Sequence, residues 1–318
     1  MSFDLDRSAV LRSASFRRLA GKTQVLVAPD DASLRTRLTH TLEVADLSRS
    51  VAATLGLDPT LAEAIALAHD IGHPAFGHAG ERALARLAPR GAGFHHAAHG
   101  VRVVTVLEPL GLSGEVVDGI LMHSKGKSGP VEARGASAVA VRAEAHVVRA
   151  CDLFAYAIHD VDDAISMDLL SIEELPREAR AVLGDSAASR RTALLEGLIE
   201  GTRDATREAP RPGGSASSTV TVRIRPHVRE ALDLLRDHLY RNVYEAGLVA
   251  AQTDRVVSIL ERLFAAYALD EARVLHAARR EASPGDGVEI RAVDFLAGLG
   301  DREALALDAR LHGIRAAA

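Results

Sequence analysis

The chain has one cysteine, Cys151, and no tryptophan, and aromatic residues fill only 3% of its 318 positions. A single thiol excludes an internal disulfide and any zinc site built from several cysteines, which fits a reducing compartment. The shortage of aromatics leaves Leu, Val, Ile and abundant Ala to build the core, a mixture that favours close-packed helices over a β-sandwich or barrel. Positive charge is also scarce, since 38 Lys and Arg face 43 Asp and Glu for a formal net charge of -5. That balance lacks the basic footprint of non-specific nucleic-acid binding and leaves a free nucleotide or a protein as candidate partners. No run reaches the roughly 18 uninterrupted apolar residues of a membrane span. The amino terminus MSFDLDRSAVLR has neither a basic start followed by an apolar run nor a cleavage-like site. The expectation is a cytoplasmic chain with no membrane partner.

What is present is apolar residue in quantity, 47% of the chain, ample for a sizeable core. Leu38, Leu42, Ala45, Val51 and Leu55 recur at near-helical spacing before the stop at Gly56. Asp58-Pro59 then supplies an N-cap and first-turn proline for a second helix, Thr60 to about Ile71, which ends at Gly72 and carries His69-Asp70 in its last turn. The segment VRAEAHVVRACDLFAYAIHDVDDAI predicts a third helix. Val147, Cys151, Phe154, Ile158, Val161 and Ile165 form its apolar stripe, and Asp152, Tyr156, Asp160 and Asp163 follow the same period on another face. Residues 126–137 and 208–218 read as loops, STVTVRIRP (218–226) alternates like a short strand, and roughly 228–268 and 270–310 read as further helices. Since no second chemistry follows residue 218, the chain is expected to be one all-α domain, 1–318.

Fourteen histidines occur in the chain, and His40, His69, His73 and His78 fall in one stretch that also contains Asp70 and Glu81. Imidazole nitrogen with carboxylate oxygen is a ligand set suited to Mn, Fe, Co, Ni, Zn or Mg. Three helices packed together place His40, His69, Asp70 and Asp152 around one such ion, with positions left open for hydrolytic chemistry. An isolated His-Asp pair is a weak signal, because most lone histidines are packed or exposed rather than ligating. The continuation HDIGHPAFGH strengthens it: glycines and a proline end the helix where two more histidines appear, a costly arrangement for packing alone.

The pattern His40, His69-Asp70, Asp152 resembles the metal site of HD-domain phosphohydrolases. In order, SFRRLAGKTQV (15–25), RTRLTHTLEVA (35–45), AIALAHDIGHPAFGHAGE (64–81), GFHHAAH (93–99), ILMHSKGK (120–127) and CDLFAYAIHDVDDAI (151–165) resemble the blocks of deoxynucleoside triphosphate triphosphohydrolases, the dGTPase group. VDFLAGLGDREAL (293–305) is similar to that group's C-terminal signature in altered form. The resemblance implies an HD-domain helical bundle with additional C-terminal helices: a catalytic core over about 12–165 and a helical remainder over about 166–318.

It further implies one divalent metal ion on His40, His69, Asp70 and Asp152, with additional Mg accompanying the triphosphate. Arg37 would contact phosphate, which its forked donors suit. His73 would face the α-phosphate, His78 would be an acid for the departing 5′ oxygen, and Glu81 with His96 would form a carboxylate–imidazole dyad. Gln24, Tyr156 and Asp160 would recognise the deoxyribose and its 3′-hydroxyl. The implied reaction is hydrolysis of a deoxynucleoside triphosphate at the α-phosphorus to deoxynucleoside and tripolyphosphate, by a chain that self-associates. Lys125 and Lys127 are further phosphate-holding candidates.

Some positions depart from the pattern. His95 and Ala97 replace a Glu and an Asn, Leu153 stands where some relatives carry a lysine, Leu299-Gly300 replace Met-Thr, and Leu305 is also changed. Two other readings therefore stay open: an HD-type nucleotidase or phosphodiesterase on another nucleotide, and a non-catalytic nucleotide sensor.

Overall fold

A computed structural model describes residues 2–24, 34–89, 93–124, 142–208, 220–245, 247–278 and 285–312. Among the described residues there are helices and no strand, with one isolated bridge between Thr23 and Thr36. None of these helices is long and apolar enough to cross a membrane. The chain forms two compact units whose segments alternate along the sequence. Met1–Arg7, Leu42–Leu67 and Ser113–Ala246 make the first; Ser8–Thr41, Ala68–Leu112 and Gly247–Ala318 make the second.

The helix Arg37–Leu55 starts and stops where its sequence pattern predicts. The next, Pro59–Ala68, begins as expected, because Asp58 Oδ1 accepts the N–H groups of Thr60 and Leu61. It ends earlier than Ile71. Four-residue turns close the segment instead, from Ile71 N to the Ala68 carbonyl and from His73 N to the Asp70 carbonyl. His69 and Asp70 therefore sit on a turn beyond the helix rather than in its last turn.

In the first unit, Val147, Cys151 and Phe154 are fully buried on the helix Ala143–Ala155, as the stripe requires. The thiol of Cys151 is pushed up to about 12, chiefly by burial. The expected uninterrupted helix to Ile165 is broken by a π-helical turn at Tyr156–Asp160 before Val161–Ser166 resumes. A π turn adds a residue to the local repeat, so the α period of the sequence pattern does not carry through it unchanged.

The expected strand at 218–226 does not form: its described part, 220–225, is irregular, and the helix Pro226–Leu239 follows. Alternation needs a partner strand to satisfy the backbone, and here a helix takes that place. Arg223 N donates to Thr202 Oγ1 at 3.1 Å, and Arg225 N donates to the Gly197 carbonyl at 3.0 Å, both on the helix Ala187–Glu208. The two expected loops lie largely outside the described residues.

The second unit packs the helix Gly77–Leu87 against Gly247–Ala268 and Val288–Ala297. Its core joins Phe76, Ala83 and Leu84 to Ile259, Leu260, Leu263 and Leu296. Burying such aliphatic side chains stabilises by about 1.5–3 kcal/mol each relative to exposure. This packing holds the histidine-rich turn that precedes Gly77.

Candidate active site

The turn from His69 to Phe76 is shaped by close backbone approach. A Cβ at Gly72 would stand 2.1 Å from the His96 carbonyl oxygen and 2.2 Å from Gly100 N, so only glycine fits. Phe76 and Gly77 both take left-handed backbone angles, φ 66° and 56°, which turn the chain sharply into the helix carrying His78 and Glu81.

Two imidazoles of the second unit gather on one carboxylate. His40 Nε2 lies 3.9 Å and His69 Nε2 3.6 Å from oxygens of Asp70, and all three side chains are buried. These separations exceed a hydrogen bond. They approach the roughly 3.0–3.5 Å between neighbouring atoms that share an ion at about 2.0–2.2 Å. The donor set, two imidazoles and a carboxylate without thiolate, fits a divalent ion of the Mn, Fe, Co, Ni, Zn or Mg group. Arg37 Nη1 donates to Asp70 Oδ2 at 2.6 Å, a buried ion pair that holds this carboxyl oriented.

A second cluster surrounds Glu81. Its Oε1 accepts from His96 Nδ1 and from the His96 backbone N–H, both at 2.8 Å, and its Oε2 accepts from His78 Nδ1 at 3.0 Å. Burial pushes this carboxyl up, but the hydrogen bonds and charges of His78 and His96 together outweigh it and hold Glu81 well below the usual carboxylate range. Glu81 is therefore an anion between two imidazoles. Each histidine gives its Nδ1 proton to that anion, which leaves any further proton exchange to Nε2.

His73 joins the two clusters. Its Nε2 is 3.5 Å from Asp70 Oδ1, and its ring stacks on His96 with centroids 3.9 Å apart. Asp70, His73 and His96 each bring a ligand atom within 4.8 Å of the others.

His95, which replaces the acid of the resembled block, caps the helix His96–Arg102 by accepting from Ala97 N at 3.3 Å. Its pKa is lowered by burial and then by the neighbouring His96. A neutral imidazole nitrogen can thus serve as the N-cap acceptor.

Gln24, Arg37, His40, His69, Asp70, His73, His78, Glu81 and His96 all belong to the second unit, whereas Asp152, Tyr156 and Asp160 belong to the first. Within the first unit, Asp152 is half-buried on its helix, and Asp160 is buried with Oδ2 accepting from the Tyr244 hydroxyl at 2.5 Å. The Tyr156 side chain, Lys125 and Lys127 lie outside the described residues.

The sequence reading passed over Lys22, His99, Asp294 and Asp301, which hold the turn from outside it. Lys22 Nζ donates to the carbonyls of His73 and Ala297. Its pKa falls to about 7, first through burial and then through the charges of Arg18 and Arg37. The signal for Lys22 and Asp301 was their place inside the blocks 15–25 and 293–305.

The helical fold, with histidine and aspartate gathered on a glycine-bounded turn, defines an HD-domain phosphohydrolase, an enzyme acting on phosphoric esters. The HD domain family matches residues 37–181, and the phosphohydrolase-associated domain matches residues 222–310. Deoxyguanosinetriphosphate triphosphohydrolase-like proteins are similar along nearly the whole chain. The one from Desulfatibacillum aliphaticivorans is 35% identical, over 96% of this chain and 85% of its own length. That from Caldanaerobacter subterraneus subsp. tengcongensis is 36% identical, over 95% and 82% respectively. A third, from Deinococcus radiodurans, is 38% identical over 98% and 90%. The chain belongs to this deoxyguanosinetriphosphate triphosphohydrolase-like family. HD domains bind a divalent metal, and the histidine–aspartate clusters here have the chemistry for one.

Proposed function

We propose that the protein hydrolyses a deoxynucleoside triphosphate at the α-phosphorus, releasing deoxynucleoside and tripolyphosphate. The observation that carries this reading is His73. One side chain touches both the His40/His69/Asp70 group and the Glu81/His96 pair, so a phosphate at the first lies beside an acid–base group. By the family pattern Asp152 would be the fourth ligand. A divalent ion held by these residues would polarise the phosphoryl oxygens and lower the pKa of water.

The chain's own residues supply the rest. Arg37 fixes Asp70 and offers its remaining donors to a phosphate oxygen. As water adds to the α-phosphorus and the bond to the 5′ oxygen breaks, one proton leaves the water and one must reach that oxygen. His96, oriented by ionised Glu81, is suited to accept the first. His78, half-exposed and bound to the same carboxylate, is suited to deliver the second. Gln24, Tyr156 and Asp160 are assigned to the sugar, and the Tyr244 hydroxyl keeps one oxygen of Asp160 oriented for that task.

The test incubates protein loaded with Mn or Mg with each of the four deoxynucleoside triphosphates and with GTP, and resolves the products by ion-exchange chromatography. Deoxynucleoside with tripolyphosphate is the expected result. Release of inorganic phosphate or pyrophosphate would place the cleavage at a phosphoanhydride bond and refute the reading, and binding without turnover would move it to another phosphoester or to a sensor, the reading that His95 and Ala97 motivate.

A further inference from the structure

Three backbone atoms of the catalytic turn are held by side chains that converge on the segment Asp294–Asp301. The Gly72 carbonyl accepts from His99 Nδ1 at 3.0 Å, and His99 Nε2 lies 3.3 Å from Asp294 Oδ1. The His73 carbonyl accepts from Lys22 Nζ, whose other bond goes to the Ala297 carbonyl at 2.9 Å. Phe76 N donates to Asp301 Oδ1 at 2.8 Å, while Asp301 Oδ2 takes both the N–H and the hydroxyl of Thr23. All of these residues lie within the second unit.

The position of Asp301 is telling. Phe76 is the N-cap of the helix Gly77–Leu87, yet its own side chain makes no capping bond. A carboxylate 225 residues away accepts its N–H instead and places negative charge at that helix end, where the dipole favours it. The helix so fixed carries His78 and Glu81, and the turn so fixed carries His73. Arg102 locks the far side by a two-pronged pair to Asp294, at 2.9 and 2.7 Å.

We infer that Lys22, His99 and Asp301 are positioning residues, through which the C-terminal helices Val288–Ala297 and Asp301–His312 set the placement of His73, His78 and Glu81. None of the three needs to touch substrate. Each acts on the backbone that carries a residue which does. The kinetic consequence rests on the function proposed above; the structural one does not.

The experiment compares Asp301→Ala, Asp301→Asn and wild type, all metal-loaded. Alanine removes all three bonds, whereas asparagine keeps one oxygen to accept the Phe76 N–H. For Ala, kcat is expected to fall by about a hundredfold, the scale of a misplacement of about 1 Å. KM should hold within about twofold, metal content should be unchanged, and Asn should recover part of the rate. Amide exchange should accelerate across residues 71–77 in Ala and less in Asn. A folded Ala variant with wild-type kcat, or Ala and Asn variants equally impaired, would overturn the inference.

If Asp301→Ala does not fold, Thr23→Val removes only the hydroxyl bond, and unchanged exchange over 71–77 in that variant overturns it equally. Should wild type show no turnover of any deoxynucleoside triphosphate, the functional reading fails alone. The exchange data then decide the clamp.

Discussion

Replacing Glu81 with Gln separates charge from shape at the centre of the site. The carboxylate accepts three hydrogen bonds, two from His96 and one from His78. An amide has one acceptor oxygen, which must face the two His96 donors; the NH2 then meets His78, whose half-exposed ring can shift its proton to the other nitrogen. The structural loss is thus two charge-assisted bonds weakened and one rearranged, about 1–3 kcal/mol. The catalytic loss is larger. Without the anion, neither imidazole is stabilised when it takes up a proton, and general acid–base catalysis is worth about 10²- to 10⁴-fold. Expected for Glu81→Gln are a kcat lowered by about a hundredfold or more, wild-type metal content and melting lowered by a few degrees.

The pH dependence of stability has a definite sign. Glu81 is held below its ordinary pKa of 4.5, so the stability it contributes is full above that value and is lost as pH falls through lower values. The melting gap between wild type and the variant should narrow as pH falls below about 4.5. Steady-state kinetics and thermal unfolding against pH check both arms. A kcat within about threefold of wild type, or a gap that does not narrow in acid, would refute the reasoning.

Other substitutions test the frame around this dyad. Asp70→Ala should abolish both bound metal, read by elemental analysis, and turnover; it also leaves buried Arg37 without its ion-pair partner, so lowered thermal stability is expected. Gly72→Ala forces a Cβ to within 2.2 Å of two backbone atoms and should cost about 3 kcal/mol or more, read as a loss of soluble protein or a sharply lowered melting temperature. His96→Ala should lower turnover while metal content holds. Asp294 is brought down to about 2, because the His99 and Arg102 bonds overcome the opposing effect of burial. Its share of stability, about 2 kcal/mol, should be present above about pH 4 and lost toward pH 2, so Asp294→Asn should flatten the acid limb of the unfolding curve.

Elements whose causes are local were legible in the sequence. Asp58 caps its helix because an aspartate before proline does so without tertiary help, and the stripe from Val147 to Phe154 is buried because its period is helical. Misreadings arose where a remote segment decides the backbone. The sequence pattern after Pro59 runs on to Ile71 because periodicity cannot register that Gly72 must meet the backbone of His96 and Gly100. The segment 220–225 alternates like a strand, but the helix Ala187–Glu208 satisfies its N–H groups. The candidate site divides in the same way. His40, His69, Asp70 and Glu81 could be proposed because acids and imidazoles are dense in one stretch and a family pattern orders them.

Lys22, His99, Asp294 and Asp301 lie inside the family blocks, but nothing in their local pattern says what each holds. Each is an ordinary charged or polar residue whose meaning lies in partners far along the chain. The turn itself explains why they are needed. A segment with two consecutive left-handed residues and a glycine pressed against a neighbouring helix cannot hold its shape through its own hydrogen bonds. Burial of the aliphatic helix faces brings the C-terminal segment alongside, and Asp301 then accepts the N–H of Phe76 at the end of the turn. The geometry around His73 is therefore expected to depend on the C-terminal helices as strongly as on the histidine-rich stretch itself.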